Sequence, residues 1–252
     1  MPTDLPSRLA DAVGRLTAPE ELTVAPPPDI TGELGELWTW WQSRAEGRDL
    51  RAAWLDGPSG PTVEALDAGL AAADAAVDSG ATVVVPRVVE PDVVVCRTVI
   101  ALLTRKEASA VLGQPEGMPD RDWMDACSAI RDRLVAVVEH RGEPVRLLES
   151  LDAGSLAGAV GILVGAAARR TPVIVDGTAE LAAALVADRI AYRAKAWWRL
   201  GSTSPDPGRT AAADRIDLAR GLPLALTDES GRGAQATERL IRIVIDSPTQ
   251  EA

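Results

Sequence analysis

Three short loops of this 252-residue chain carry residue types from which an anion site can be built, each just ahead of a helical pattern. Asp176-Gly177-Thr178 closes the apolar run "TPVIV". Its carboxylate can point into a crevice while Thr178 caps the helix that follows. Ser204-Pro205-Asp206-Pro207-Gly208 offers a hydroxyl and backbone N–H groups near a helix N-terminus, where a phosphate is favoured. Asp228-Glu229-Ser230-Gly231-Arg232-Gly233, inside "LTDESGRGAQATERLI", joins two acids to glycines that let amides approach an anion, and Arg232 adds positive charge. A carboxylate beside such a cradle can act as a general acid or base. Each stretch also reads as a cap or a Pro/Gly turn, and the residues alone leave both readings open.

The elements that must position these loops follow from periodicity. Residues 5–17 predict a helix, broken by the prolines of "TAPEELTVAPPPD", and "ITGELGELWTWWQSR" predicts a second with Leu34, Leu37, Trp38 and Trp41 on one stripe. "RAAWLDGPSGP" reads as a strand closed by a turn, "TVEALDAGLAAADAAVDSG" as a small-residue helix, and "ATVVVP" as a buried parallel strand. The run "VVEPDVVVCRTVIALL" fits strand or helix, with a helix favoured from about Val94; "PDRDWMDACSAIRDRLVAVVEHRG" is a helix with acids first and bases last. "LDAGSLAGAVGILVGAAARR" places Gly154, Gly158, Gly161 and Gly165 on one helical face. Each glycine costs roughly 1 kcal/mol relative to alanine in a helix, so that face predicts close approach to another backbone. A strand "TPVIVDG", a helix "TAELAAALVADRIAYRA", the segments "KAWWRLGSTSPDPG" and "GLPLAL", and a last helix from about Gly233 continue a β/α alternation. Alternation of this kind predicts an α/β fold: a mostly parallel, Rossmann-like sheet with helices on both faces. The expected division is a small N-terminal helical subdomain over residues 1–50, joined by part of the C-terminal helix, and an α/β domain over 51–248.

Bulk properties narrow the function. A net charge of −11 with 26 Lys and Arg against 37 Asp and Glu disfavours nucleic acid and anionic membranes as partners. Cys96 and Cys127 are far apart and outside CxxC spacing, and the only histidine, His140, has no ligand-spaced companion, so no metal and no cofactor is expected. Neither a P-loop nor a GxGxxG motif occurs. No secretory signal is visible and the longest apolar run is too short to span a bilayer, which together predict a cytoplasmic protein.

In order, these stretches resemble the nicotinate-nucleotide–dimethylbenzimidazole phosphoribosyltransferase (CobT) family. "AGAVGILVGAAARRTPVIVDG" is similar to the family's glycine-alanine helix, double arginine and strand ending in Asp-Gly; "STSPDPGR" is similar to its loop reading Ser, any residue, Glu, Pro, Gly. "PPDITGELGEL" resembles the family's "PPGSLGRLEEL", and the spacing from Gly208 to Ala234 equals that to the family's Gly-Glu-Gly-Thr-Gly-Ala tail. The resemblance implies a homodimeric Rossmann-like protein with a small helical subdomain. It implies transfer of a phosphoribosyl group from nicotinate mononucleotide to dimethylbenzimidazole, giving α-ribazole phosphate for cobalamin. It also implies that Asp176, Gly177, Ser204, Gly208, Glu90 and Gly117 bind the substrate and its phosphate, and that Glu229 is the catalytic base.

This chain departs from the family at several of those points. The loop Gly-Glu-Met-Gly-Ile-Gly-Asn-Thr-Thr corresponds to "VVEPDVVVCRT", which keeps Glu90 and none of the glycines. Gly113 and Gly117 remain of a second glycine segment, whose arginine is lost; a family lysine falls near Ala129. Only about Arg51 to Pro61 stands where the family carries most of its base pocket. An ungapped match of the tail sets Ser230, not Glu229, in the glutamate's place. Two functions follow: a trimmed phosphoribosyltransferase acting on a nicotinate mononucleotide-like ribotide, or a non-catalytic relative serving as a nucleotide-binding, regulatory or scaffold subunit.

Overall fold

The computed structural model describes residues 5–20, 25–45, 47–114, 117–226 and 231–246. In chain order the elements are α1 (Ser7–Gly14), α2 (Gly32–Ala45), β1 (Ala52–Asp56), α3 (Thr62–Asp78), β2 (Val83–Arg87), α4 (Val93–Thr104), α5 (Ala108–Leu112) and α6 (Asp120–Val137). They continue as α7 (Pro144–Ser150), α8 (Gly154–Ala168), β3 (Val173–Val175), α9 (Thr178–Ile190), β4 (Trp198–Leu200), α10 (Pro207–Arg215) and α11 (Arg232–Asp246). Short 3-10 turns cover Val138–Gly142, which holds His140, and Tyr192–Trp197.

The four strands are parallel and lie in sequence order, β1-β2-β3-β4, with Ala53 opposite Val84, Val84 opposite Val173, and Val173 opposite Trp198. Each crossover therefore steps in the same direction. Right-handed connections of that kind carry their helices to one face of the sheet. Side-chain alternation divides the apolar residues accordingly. Val84, Val173 and Val175 join the core that contains α3, α4, α8 and α9, whereas Val83, Val85 and Ile174 face a second core. That second core is built by Leu37, Trp40 and Trp41 of α2 with Ala234 and Ile241 of α11. The sheet is thus covered on both faces, as the alternating pattern predicts. Helix α1 joins the first core through Leu9 and Ala12 and α2 the second, so the N-terminal helices serve opposite faces.

The glycine face of α8 meets backbone. A Cβ at Gly158 would overlap the Pro58 carbonyl, one at Gly161 the Leu66 carbonyl, and one at Gly69 of α3 the Gly158 carbonyl. All of α8 except Ser155 is buried, as expected for a helix that is apolar all round.

Two local expectations are corrected, and an ambiguous one is resolved. On α2 the buried stripe is Leu37, Trp40 and Trp41, while Leu34 is exposed and Trp38 half-buried, because the helix presents its Trp40 edge to the sheet. The segment "GLPLAL" does not form a full strand. Its Leu222 and the preceding Ala219 make only single parallel bridges, to Ser202 and Arg199, along the β4 edge. The ambiguous run resolves as helix α4 from Val93, with the Asp92 carboxylate accepting from the Val95 N–H at 3.0 Å. No described helix is long and apolar enough to cross a membrane.

Candidate functional site

Strand β3 ends at Val175, and the next residue, Asp176, is the hub of a buried polar cluster. Its Oδ1 accepts from Ser202 Oγ at 3.1 Å and from Arg209 Nη2 at 2.9 Å; its Oδ2 accepts from the Ala234 N–H at 3.1 Å. The carboxylate thus joins the ends of β3 and β4 and the first turns of α10 and α11. The expectation that it points into an open crevice is corrected: Asp176 and Arg209 side chains are 4% and 2% exposed. Thr178 is not the cap of α9 either. Gly177 occupies the cap position at φ 120°, a backbone conformation that favours glycine, and Thr178 is the first helical residue.

The 204–208 loop is fixed by a second pair. Asp206 caps α10, accepting from the Arg209 N–H at 2.8 Å, with Pro207 in the first turn, where its missing N–H costs nothing. Arg97 of α4 grips the same carboxylate with both terminal nitrogens, at 2.7 and 2.6 Å, and donates to the Val111 carbonyl at 2.7 Å. A Cβ at Gly208 would overlap Arg97 Nη1, so Gly208 admits the guanidinium beneath the loop. Ser204 Oγ accepts from the Asp206 N–H at 3.2 Å. The tail glycine Gly233 fits because a side chain there would collide with Ser202 Oγ and Asp176.

A cavity of about 380 Å³ opens beside this cluster, lined among others by Ser202, Thr203, Ser204, Arg209 and Thr210. The fold therefore brings Asp176, Gly177, Ser204, Gly208 and the 231–234 segment into one region. Glu90 and Gly117 do not join it. Both are exposed on separate loops, at φ 49° and 80°, with no hydrogen bond to the cluster among the described residues. Glu229 and Ser230 lie outside the described residues. Sequence reasoning missed Arg97, Ser202 and Arg209. The signal for Arg97 was available: it is the one charge in the helix "VVVCRTVIALLT", and a charge in a buried helix needs a partner.

Burial pushes the Asp206 carboxyl up, but the Arg97 hydrogen bonds and charge, with the Arg209 and Gly208 N–H groups, outweigh it and hold the group below its ordinary value. A carboxyl depressed in the folded state contributes stability above its unfolded pKa, roughly 3.9, and loses it as pH falls through the folded value. Urea unfolding at a pH above the unfolded value and at one below the folded value should show this loss in the parent. In Asp206→Asn the acid-induced drop should be smaller.

The chain is similar to known proteins in sequence and in fold. A family model described as Phosphoribosyltransferase matches residues 60–250. The nicotinate-nucleotide–dimethylbenzimidazole phosphoribosyltransferase of Mycobacterium avium is 34% identical over 185 residues, covering 73% of this chain and 53% of that protein. The Streptomyces avermitilis enzyme of the same name is 38% identical over 172 residues, covering 68% and 46%. The chain spans about half the length of the curated relatives it matches. Among solved structures, the Thermus thermophilus enzyme of that name superposes with a TM-score of 0.65 at 23% identity, over 74% of this chain and 56% of that one. A structure titled CobT from the same organism gives 0.71 at 19% identity and covers 95% of each chain, a likeness of fold. With its sequence matched from residue 60 to 250, this chain belongs to the phosphoribosyltransferase family that includes the nicotinate-nucleotide–dimethylbenzimidazole enzymes.

Proposed function

We propose that this chain binds a nicotinate mononucleotide-like ribotide in the groove beside Ser204 and transfers its phosphoribosyl group to a dimethylbenzimidazole-type base. The carrying observation is the 380 Å³ groove in which Ser202, Ser204, Arg209 and Thr210 stand together. Hydroxyls and a guanidinium in one concavity suit a sugar phosphate. The names of the relatives support the reaction. In the transfer, the bond from ribose C1′ to the nicotinate nitrogen breaks as a bond from C1′ to the benzimidazole nitrogen forms. Nicotinate leaves, and the base's N–H proton passes to a carboxylate, for which Glu229 is the candidate. The cluster's fixed dipoles and charges hold the ribose phosphate so that C1′ meets the incoming nitrogen. We further propose that the protein acts as a homodimer in the cytoplasm.

A second reading has its own support. Asp206, in the loop beside the groove, is held by Arg97, which keeps its carboxyl below its ordinary value. A carboxylate so held is a poor proton acceptor, which favours a binding or scaffold subunit without turnover. One experiment separates the two. The protein is incubated with nicotinate mononucleotide and dimethylbenzimidazole, products are read by mass spectrometry, and ribotide binding is measured by calorimetry on the same sample. The transfer reading expects α-ribazole phosphate that disappears in Glu229→Gln; binding without product supports the subunit reading; no binding overturns both. Ser204→Ala should weaken ribotide binding about tenfold, the loss of one hydrogen bond to a charged group.

A further inference from the structure

Across the segment Asp217–Arg220 from this groove lies a second cleft, of about 560 Å³, walled by Arg44, Arg193, Lys195 and Arg220, with Tyr192 at its rim and Asp217 as the carboxylate among its lining residues. Among the described residues none of these four cations is in an ion pair. In a chain of net charge −11, four unpaired cations around one concavity are a local inversion of sign. Such a concavity focuses a positive potential.

A fifth cation stands behind them. Arg199 on β4 is 4% exposed, and its Nε is buried without a hydrogen-bond partner. Its guanidinium rests over the Trp40 ring, 5.8 Å from the centroid, and Arg44 approaches the same ring at 5.3 Å. A buried, unpaired guanidinium is costly, and the cation–π contact offsets only part of that cost. Arg44 spends its donors on neutral groups, the Ala196 and Trp40 carbonyls and Ser43 Oγ. Burial, then the neighbouring charge of Arg199, brings Arg44 down to about 10. Burial also lowers Arg199, against the raising charges of Glu36 and Glu33 on α2. The pair thus carries excess positive charge for which the described fold supplies no counter-ion at contact distance.

Tyr192 indicates what kind of anion fits. It is 69% exposed, the most exposed aromatic of the described large hydrophobic residues, and Lys195 Nζ stands 5.0 Å from its ring centroid. A flat ring can stack there while a phosphate reaches the cations. We propose that this cleft is a second ligand site, which takes a small phosphomonoester bearing a flat aromatic group, of nucleotide type. The phosphate is held by Arg193, Lys195 and Arg220, the base stacks on Tyr192, and Arg44 and Arg199 supply field from behind.

The proposal stands apart from the groove reading, and adenosine monophosphate is the probe. Titration of the full chain by calorimetry should give binding with Kd below about 1 mM that weakens as salt is raised. Arg193→Glu should weaken it tenfold or more, and Tyr192→Ala about tenfold; both positions are exposed, so the variants should fold as the parent does. Ser204→Ala should leave it unchanged. Adenosine monophosphate that fails to bind, or binds equally well to Arg193→Glu, overturns the proposal. Loss of binding in Ser204→Ala alone would put the nucleotide in the groove and overturn it too. Pyrophosphate or citrate binding as tightly, with no effect of Tyr192→Ala, would overturn the aromatic assignment.

Discussion

Replacing Asp176 with alanine is expected to lower the unfolding free energy by about 3–5 kcal/mol, the usual effect of removing one partner of a buried ion pair. The substitution takes the buried Asp176 carboxylate away from the Arg209 guanidinium, 2% exposed, and withdraws the acceptor of Ser202 Oγ and of the Ala234 N–H. Those groups lie on α10, the end of β4 and α11, so the loss spreads over three elements. Urea unfolding measures it directly. A companion variant tests the cause: Asp176→Leu combined with Arg209→Met should recover most of the lost stability, because the charge and its need for a partner vanish together. If the double variant is as unstable as the single one, the cost lies in packing rather than in the uncompensated charge.

The second large effect concerns the contact between α3 and α8. Gly69→Ala should destabilise by about 1–3 kcal/mol or more, although alanine is the better helix former by roughly 1 kcal/mol. The added Cβ would overlap the Gly158 carbonyl and lie 3.0 Å from the Ile162 nitrogen. Both obstacles are helical backbone, which cannot swing aside as a side chain would. Gly14→Ala, at the end of α1 with nothing within 4 Å of the new Cβ, is the control and should cause no loss. Equal thermal midpoints for the two variants would show that the helices separate at little cost.

How much of this was legible depended on where each signal resides. The glycines of α8 were readable because four of them at helical spacing oppose propensity, and only a close neighbour explains that; Pro58, Leu66 and Gly60 are the backbone met there. The run Val83–Val85 was readable as a strand because both its faces are covered. The face of α2 was not. Three tryptophans within four residues leave its apolar stripe ambiguous by one position, and only the sheet beneath chooses Trp40 over Trp38. The family resemblance located Asp176, Ser204 and Gly208, yet the chemistry around them rests on arginines from distant elements. Arg97 precedes its partner Asp206 by more than a hundred residues, and no local pattern joins two such positions. Thr178 was misplaced as a cap because a side chain that could cap says nothing of the backbone angle at Gly177.

The placement of α2 and α11 has a consequence for the order in which the molecule is made. One face of the sheet is closed by helices that lie between its strands in sequence, and it can be sealed as the strands emerge. The other face needs Ala234 and Ile241 alongside Trp40, Trp41, Val83, Val85 and Ile174. During synthesis Trp40, Trp41, Val83, Val85 and Ile174 lack the cover of Ala234 and Ile241 until α11 has emerged. The same helix brings the Ala234 N–H to Asp176, so a nascent chain arrested before it should be chaperone-dependent and lack the polar cluster beside the groove.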